Sequence, residues 1–204
     1  MELKVSRLGK KYEGNWIFRN IDLSVPAGAK VLIEGRNGSG KSTFAKTISG
    51  LILPSEGQIT YIHKGLQVRD SIAYKDIQLM GPYIDLVEDF TLTEFLNFHH
   101  HFKPFVAGMS IAELLVIGAF EGQQGKYIRH FSSGMKQRVK LLLAMFSHSA
   151  MLVLDEPTAN LDAWGINWYQ RLVDDYAQNK TILVCSNNAS QEAAFCTQQI
   201  SMEV

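Results

Sequence analysis

Apolar and polar positions alternate at Leu3-Lys4-Val5 and again at Ile21-Asp22-Leu23-Ser24-Val25, which predicts two half-buried strands of an antiparallel sheet. After Pro26-Ala27-Gly28 the pattern becomes a continuous apolar run within 30–34, as in a strand buried on both faces. Residues 58–63 read as an edge strand ending in the turn-like pair Lys64-Gly65, and 76–80 as a strand broken off by Gly81-Pro82. From 91 to 120 the period turns helical. Leu92, Phe95, Leu96, Phe98 and Phe102 share helix spacing, a second helix covers 110–120, and a third covers 133–147 beyond the loop at 122–125. Then follow a buried strand at 151–154, a helix over 163–178, a buried strand at 181–185, a short helix, and a last strand at 199–202. Strands alternating with helices predict an α/β fold with a parallel sheet covered on both faces. The segment 81–131 shows no strand alternation and reads as a helical insertion in a core made of 1–80 and 132–204.

The first chemistry stands where the apolar run at 31–33 ends. Gly35, Arg36, Asn37, Gly38, Ser39, Gly40, Lys41, Ser42 and Thr43 fit G-x-x-x-x-G-K-[ST], with a strand before and an amphipathic stretch after. Glycines let successive backbone N–H groups and the helix N-terminus close on a polyphosphate. Lys41 would then reach the β- and γ-phosphates, and the Ser42 hydroxyl a Mg²⁺ ion. A second element follows Met151-Leu152-Val153-Leu154, where Asp155 is suited to hold the Mg²⁺ shell and Glu156 to orient and deprotonate an attacking water. ATP and Mg²⁺ are the ligands these two elements imply.

Size and charge add limits. The chain of 204 residues is 46% hydrophobic, enough for a single well-cored domain over 1–204. Lys and Arg number 20 against 20 Asp and Glu, and no basic stripe points to nucleic acid. The first residues lack the apolar core of a signal peptide, and apolar runs such as 141–146 are too short to cross a bilayer. Cys185 and Cys196 sit in apolar contexts and read as reduced thiols, so a cytoplasmic protein is expected.

Phe131-Ser132-Ser133-Gly134-Met135-Lys136-Gln137-Arg138 discriminates further. With the two elements above, in this order, it resembles the signature of ATP-binding subunits of ABC transporters, and the resemblance extends over nearly the whole chain. That family implies a P-loop NTPase core with a mixed sheet, an N-terminal antiparallel β-subdomain and a helical subdomain carrying the signature. It implies further that Tyr12 stacks on adenine, that Ser133 and Gly134 contact the γ-phosphate held by a second cassette, and that Asp162 couples the two sites. The partners implied are an identical or paralogous cassette and a membrane-spanning subunit, which would hold the chain at the inner face of the membrane. Small exporter subunits share its short length. A nucleotide-gated regulatory module with weak hydrolysis, and a non-transport ABC protein, are the alternatives.

Two positions depart from the family. Its switch histidine, expected after the strand at 181–185, is replaced by Ser186, with Asn187 as the neighbouring candidate. Either residue donates a hydrogen bond, and neither becomes a cation. The glutamine that links Mg²⁺ and water falls on Gly81 or Pro82, with Gln78 nearby inside the strand. His99-His100-His101 point in different directions on a helix and read as a partly exposed face rather than a metal site. Trp164 and Trp168, four residues apart, read as core packing.

Overall fold

The computed structural model describes residues 1–202. Strands β1 (Glu2–Tyr12) and β2 (Asn15–Val25) form a hairpin, with Tyr12 paired to Asn15 across a two-residue turn. Both turn residues, Glu13 (φ 49°) and Gly14 (φ 85°), are left-handed, the geometry that matches the twist of a hairpin. Each strand has 11 residues, far longer than the alternation at 3–5 and 21–25 predicts. Register shifts between Val5 and Leu8 and between Leu8 and Lys10 interrupt the period of two. β4 (Glu56–His63) and β5 (Leu66–Val68) complete a sheet of order β2-β1-β4-β5. The strand expected at 58–63 as an edge is therefore internal, because β5 pairs with its outer side.

The second sheet joins β3 (Lys30–Glu34), β6 (Ile77–Met80), β7 (Met151–Asp155), β8 (Thr181–Ser186) and β9 (Gln198–Ser201) in the order β6-β7-β8-β3-β9. Every pairing in it is parallel. The mixture of strand directions thus lies between two sheets, not within one. Alternate residues of its strands feed different cores. Leu152, Leu154, Ile182 and Val184 pack on one face with α3 (Leu92–Phe102), α4 (Ile111–Ile117), α5 (Ser133–Phe146) and α6 (Ala163–Tyr176). Met151, Val153, Leu183 and Cys185 pack on the other, with α1 (Lys41–Ile48) and the antiparallel sheet. Each fully buried aliphatic or aromatic side chain stabilises the fold by roughly 1.5–3 kcal/mol.

Helix starts follow their caps. Thr91 with Glu94 and Ser110 with Glu113 form reciprocal capping boxes, and Ser132 and Asp162 cap α5 and α6. α2 (Asp70–Ala73) and α7 (Ala189–Glu192) are single turns. The three histidines do separate work. His99 Nε2 meets Ser147 Oγ at 2.7 Å, the His100 ring accepts from the Phe105 N–H, and His101 stays exposed. The face is partly exposed as expected: His100 and His101 are open, and His99 is half-buried against α5's end. Trp168 is buried and donates to the Ile117 carbonyl at 2.8 Å, whereas Trp164 is 48% exposed, so only one of the pair belongs to the core.

Candidate functional site

The parallel order brings the C-terminal ends of β3, β7 and β8 to one edge, where ligands of such sheets bind. Residues 35–43 leave β3 there and enter α1. Gly38 (φ 85°) and Gly40 (φ 90°) adopt left-handed backbone, and a side chain at Gly40 would stand 2.9 Å from Ile17 of β2. A Cβ on Gly35 would stand 2.5 Å from the Ser39 hydroxyl. The antiparallel sheet therefore seats the loop directly. Lys41 is buried and curls into it, its ammonium donating to the carbonyls of Gly35 (2.6 Å) and Arg36 (2.9 Å). Ser42 and Thr43 occupy the first turn of α1, whose N-terminal N–H groups are free for an anion. Tyr12 stands 47% exposed at the hairpin end, with the Lys10 ammonium 4.8 Å from its ring centroid, so its aromatic face is partly available.

Asp155 ends β7 and is completely buried, and neither carboxylate oxygen has a hydrogen-bond partner among the described residues. Burial raises its pKa, opposed by the nearby Ser42 hydroxyl and by the Lys41 charge. A buried carboxylate left unpaired is costly; beside a hydroxyl and an ammonium at a phosphate loop it fits a divalent cation. Glu156 follows in a left-handed conformation (φ 49°), rare for a side chain of its size. Its N–H donates to the Cys185 carbonyl (3.0 Å), and Gln137 of α5 donates to the carbonyls of Glu156 (3.3 Å) and Pro157 (2.8 Å). The signature helix thereby holds the turn that carries the second acid, a contact the sequence motif gave no hint of.

The switch position differs from the expectation placed on Ser186. Its side chain is fully buried, donating its hydroxyl to Glu192 and accepting the Asn188 N–H at 2.8 Å. Strand parity is the reason. Ser186 is still paired within β8, opposite Glu34, and its hydroxyl is committed to Glu192. Asn187, one residue later, donates to Asn37 Oδ1 at 2.8 Å and lines the cleft formed by Gly35, Asn37 and Ser39. Glu192 also accepts from the Thr158 N–H (3.0 Å) and hydroxyl (2.7 Å), tying the loop after Glu156 to the end of β8.

Gln78 lies opposite Leu152, three rungs or about 10 Å short of Asp155, and donates within its own strand to Leu79 O at 3.4 Å. Gly81 is the residue that reaches the edge. The Tyr83 hydroxyl, buried and without a well-aligned hydrogen-bond partner among the described residues, faces Asp155 instead. Burial, then the Asp155 charge, raises the pKa of that phenol.

Ser133 and Gly134 start α5 outside this cleft. With Ser132, Asn160, Asp162 and Trp164 they line a second cleft, which shares no residue with the first. A Cβ on Gly134 would stand 2.9 Å from the Asn160 carbonyl, so the glycine is needed for that packing. Asp162 caps α6 through the Gly165 N–H at 2.8 Å. Ser132, the cap that the Ser-Ser-Gly run predicts, accepts from the Met135 N–H and belongs to the same cleft, although it was not among the expected site residues.

Fold and cleft together define a P-loop nucleotide-binding protein. The ABC transporter family profile matches residues 18–159, well over half of the chain. The protein belongs to this family and is one of its ATP-binding, ATP-hydrolysing subunits. It is 27% identical over 195 residues to the lantibiotic transport ATP-binding protein SrtF of Streptococcus pyogenes, covering 93% of this chain and 81% of that one. It is 30% identical over 171 residues to the Fe(3+) ions import ATP-binding protein FbpC of Escherichia coli O157:H7, covering 79% and 47% respectively. Among solved structures, the ATP-binding subunit of an ABC transporter superposes with a TM-score of 0.81 at 26% identity, over 98% of this chain and 85% of the other. A dimeric ATP-binding cassette bound to ADP and Pi shares the fold, with a TM-score of 0.82 at 22% identity over 98% and 93%.

Proposed function

We propose that this cassette hydrolyses Mg²⁺-ATP at a site completed by a second cassette, and that the cycle powers export through a membrane-spanning subunit. The observation that carries the reading is the buried, unpartnered Asp155 carboxylate beside Ser42 and Lys41. Ser42 and Asp155 would hold Mg²⁺, which when bound neutralises charge on the phosphates. The N–H groups of 35–43 and the Lys41 ammonium cradle the polyphosphate, and Tyr12 offers its ring to the base. Glu156 orients the attacking water and takes its proton, while Asn187 in place of Ser186 meets the γ-phosphate by a neutral hydrogen bond.

Separation of the two clefts supports the dimer. Ser132, Ser133 and Gly134 form a helix start that lines a cleft Lys41 of the same chain does not share. A two-fold pairing of one cassette with an identical or paralogous one would bring each such helix start to the other's loop. The run 133–138 favours export by its likeness to exporter-type signatures. The segment 81–131 reads as the inserted subdomain of a single cassette over 1–204, and its exposed Val87, Phe98 and Phe102 offer apolar surface for the membrane-spanning subunit. No helix of the described residues is long and apolar enough to cross a membrane itself. Attachment to the inner face of the membrane would therefore be through that subunit.

Glu156→Gln tests the reading. With Mg²⁺-ATP it is expected to sediment as a dimer that persists while ATP remains, with phosphate release lowered roughly a thousandfold. An ATP-loaded monomer with unchanged turnover would overturn it.

A further inference from the structure

Position 81 carries no side chain at the edge of the sheet where Asp155 emerges. The ladder pairs Met80 with Leu154, so the next rung sets Gly81 beside Asp155. A Cβ there would stand 2.8 Å from Tyr83 Cζ and 3.1 Å from its hydroxyl. The space that a side chain at 81 would fill is filled by a ring arriving from two residues later. Lys46 of α1 lies over that ring, its ammonium 3.7 Å from the centroid, and fixes it between β6 and α1. The Lys140 ammonium reaches the Gly81 carbonyl at 3.5 Å and holds the exit of β6 from the other side.

The placement sets the Tyr83 hydroxyl against the Asp155 carboxylate in the interior. Among the described residues the Tyr83 hydroxyl and both Asp155 oxygens lack well-aligned hydrogen-bond partners. Leaving one such group unsatisfied costs about 1–3 kcal/mol, and a phenylalanine at 83 would keep the ring packing without that cost. The hydroxyl is therefore available to what Asp155 binds. We propose that Tyr83 is a positioning residue for the water shell of the Mg²⁺ that Asp155 and Ser42 would hold, taking the place of the glutamine expected at 81 or 82. The proposal rests on the Mg²⁺-ATP reading above. Magnesium keeps several of its waters when protein-bound, and outer-shell hydrogen bonds set the orientation of those waters. A phenol serves because it both donates to a carboxylate and accepts from a water.

The test uses the Glu156→Gln protein, in which hydrolysis does not confuse binding. ATP binding is titrated with Mg²⁺, and water-proton relaxation is measured with Mn²⁺ in its place. Tyr83→Phe is expected to raise the Mg²⁺ concentration for half-maximal ATP binding about tenfold and to change the relaxation signal, with the thermal midpoint held or raised. Gly81→Ala, which pushes the ring away while leaving the hydroxyl in the chain, is expected to do the same. It also stands as an independent arm if Tyr83→Phe folds poorly. An unchanged Mg²⁺ requirement in both variants overturns the proposal. Absence of any Mg²⁺ dependence in the Glu156→Gln parent overturns the underlying Mg²⁺-ATP reading instead.

Discussion

Two stretches of the same sheet edge are built on opposite principles. Residues 35–43 bind through backbone: left-handed glycines at 38 and 40, the free N–H groups of α1, and one lysine curled onto carbonyls. The rim formed by the ends of β6, β7 and β8 works through side chains: Tyr83, Asp155, Asn187, and the buried Ser186–Glu192–Thr158 cluster. A backbone cradle is specified by glycine positions and admits little variation. A side-chain rim tolerates replacement as long as some polar atom arrives at the same point, and here a phenol and an asparagine arrive where glutamine and histidine were expected. We infer a division of labour: the cradle would set how tightly nucleotide is held, Tyr83 how readily Mg²⁺ joins it, and Asn187 how fast it turns over.

The largest effect expected on the rim is structural. Glu192→Ala leaves the Thr158 N–H, the Thr158 hydroxyl and the Ser186 hydroxyl unpaired in the interior, and stability should fall by about 3 kcal/mol in chemical denaturation. ATP affinity of the folded fraction should hold, since the cradle makes no contact with Glu192. Next comes Lys41→Ala, which removes charge-assisted contacts to the phosphates and should weaken ATP binding roughly 100-fold by calorimetry. Its stability should change little by comparison, because its present partners are two loop carbonyls.

A smaller effect lies outside both stretches and serves as a control. Burial, with help from the charges of Lys103 and His100, lowers His99 to about 4. Between about pH 6.5 and 4 the unfolded chain takes up a proton that folded His99 refuses. Stability is therefore full above about 6.5 and falls as pH drops, by about 2 kcal/mol at pH 5. His99→Gln should flatten that part of the profile in denaturation curves at pH 7 and pH 5, while ATP affinity at pH 7 stays unchanged.

Much of this was legible in the sequence, for reasons that also explain the gaps. The order of elements followed from period, and β3, β7 and β8 from short apolar runs that continue on both faces. The cradle was legible because its glycines have no substitute. Strand lengths in the hairpin were not, since bulges near Leu8 break the alternation on which the reading depends. Nor was the internal position of β4, which only the pairing with β5 decides. At the rim the choice between Ser186 and Asn187 turned on a single residue of strand register, and a one-residue step reverses which side chain meets the cleft. Tyr83 left no sequence signal of its own; it is recognisable only once Gly81 is seen to make room for it.

The division between cradle and rim is tested most directly at Asn187. Steady-state phosphate release and ATP affinity are measured side by side for Asn187→Ala and Ser186→Ala. Asn187→Ala should lower kcat about tenfold, near 1.4 kcal/mol of barrier, with ATP affinity and thermal midpoint unchanged, whereas Ser186→Ala should act through stability alone. Full turnover in Asn187→Ala, together with lost turnover in a stably folded Ser186→Ala, would contradict the account.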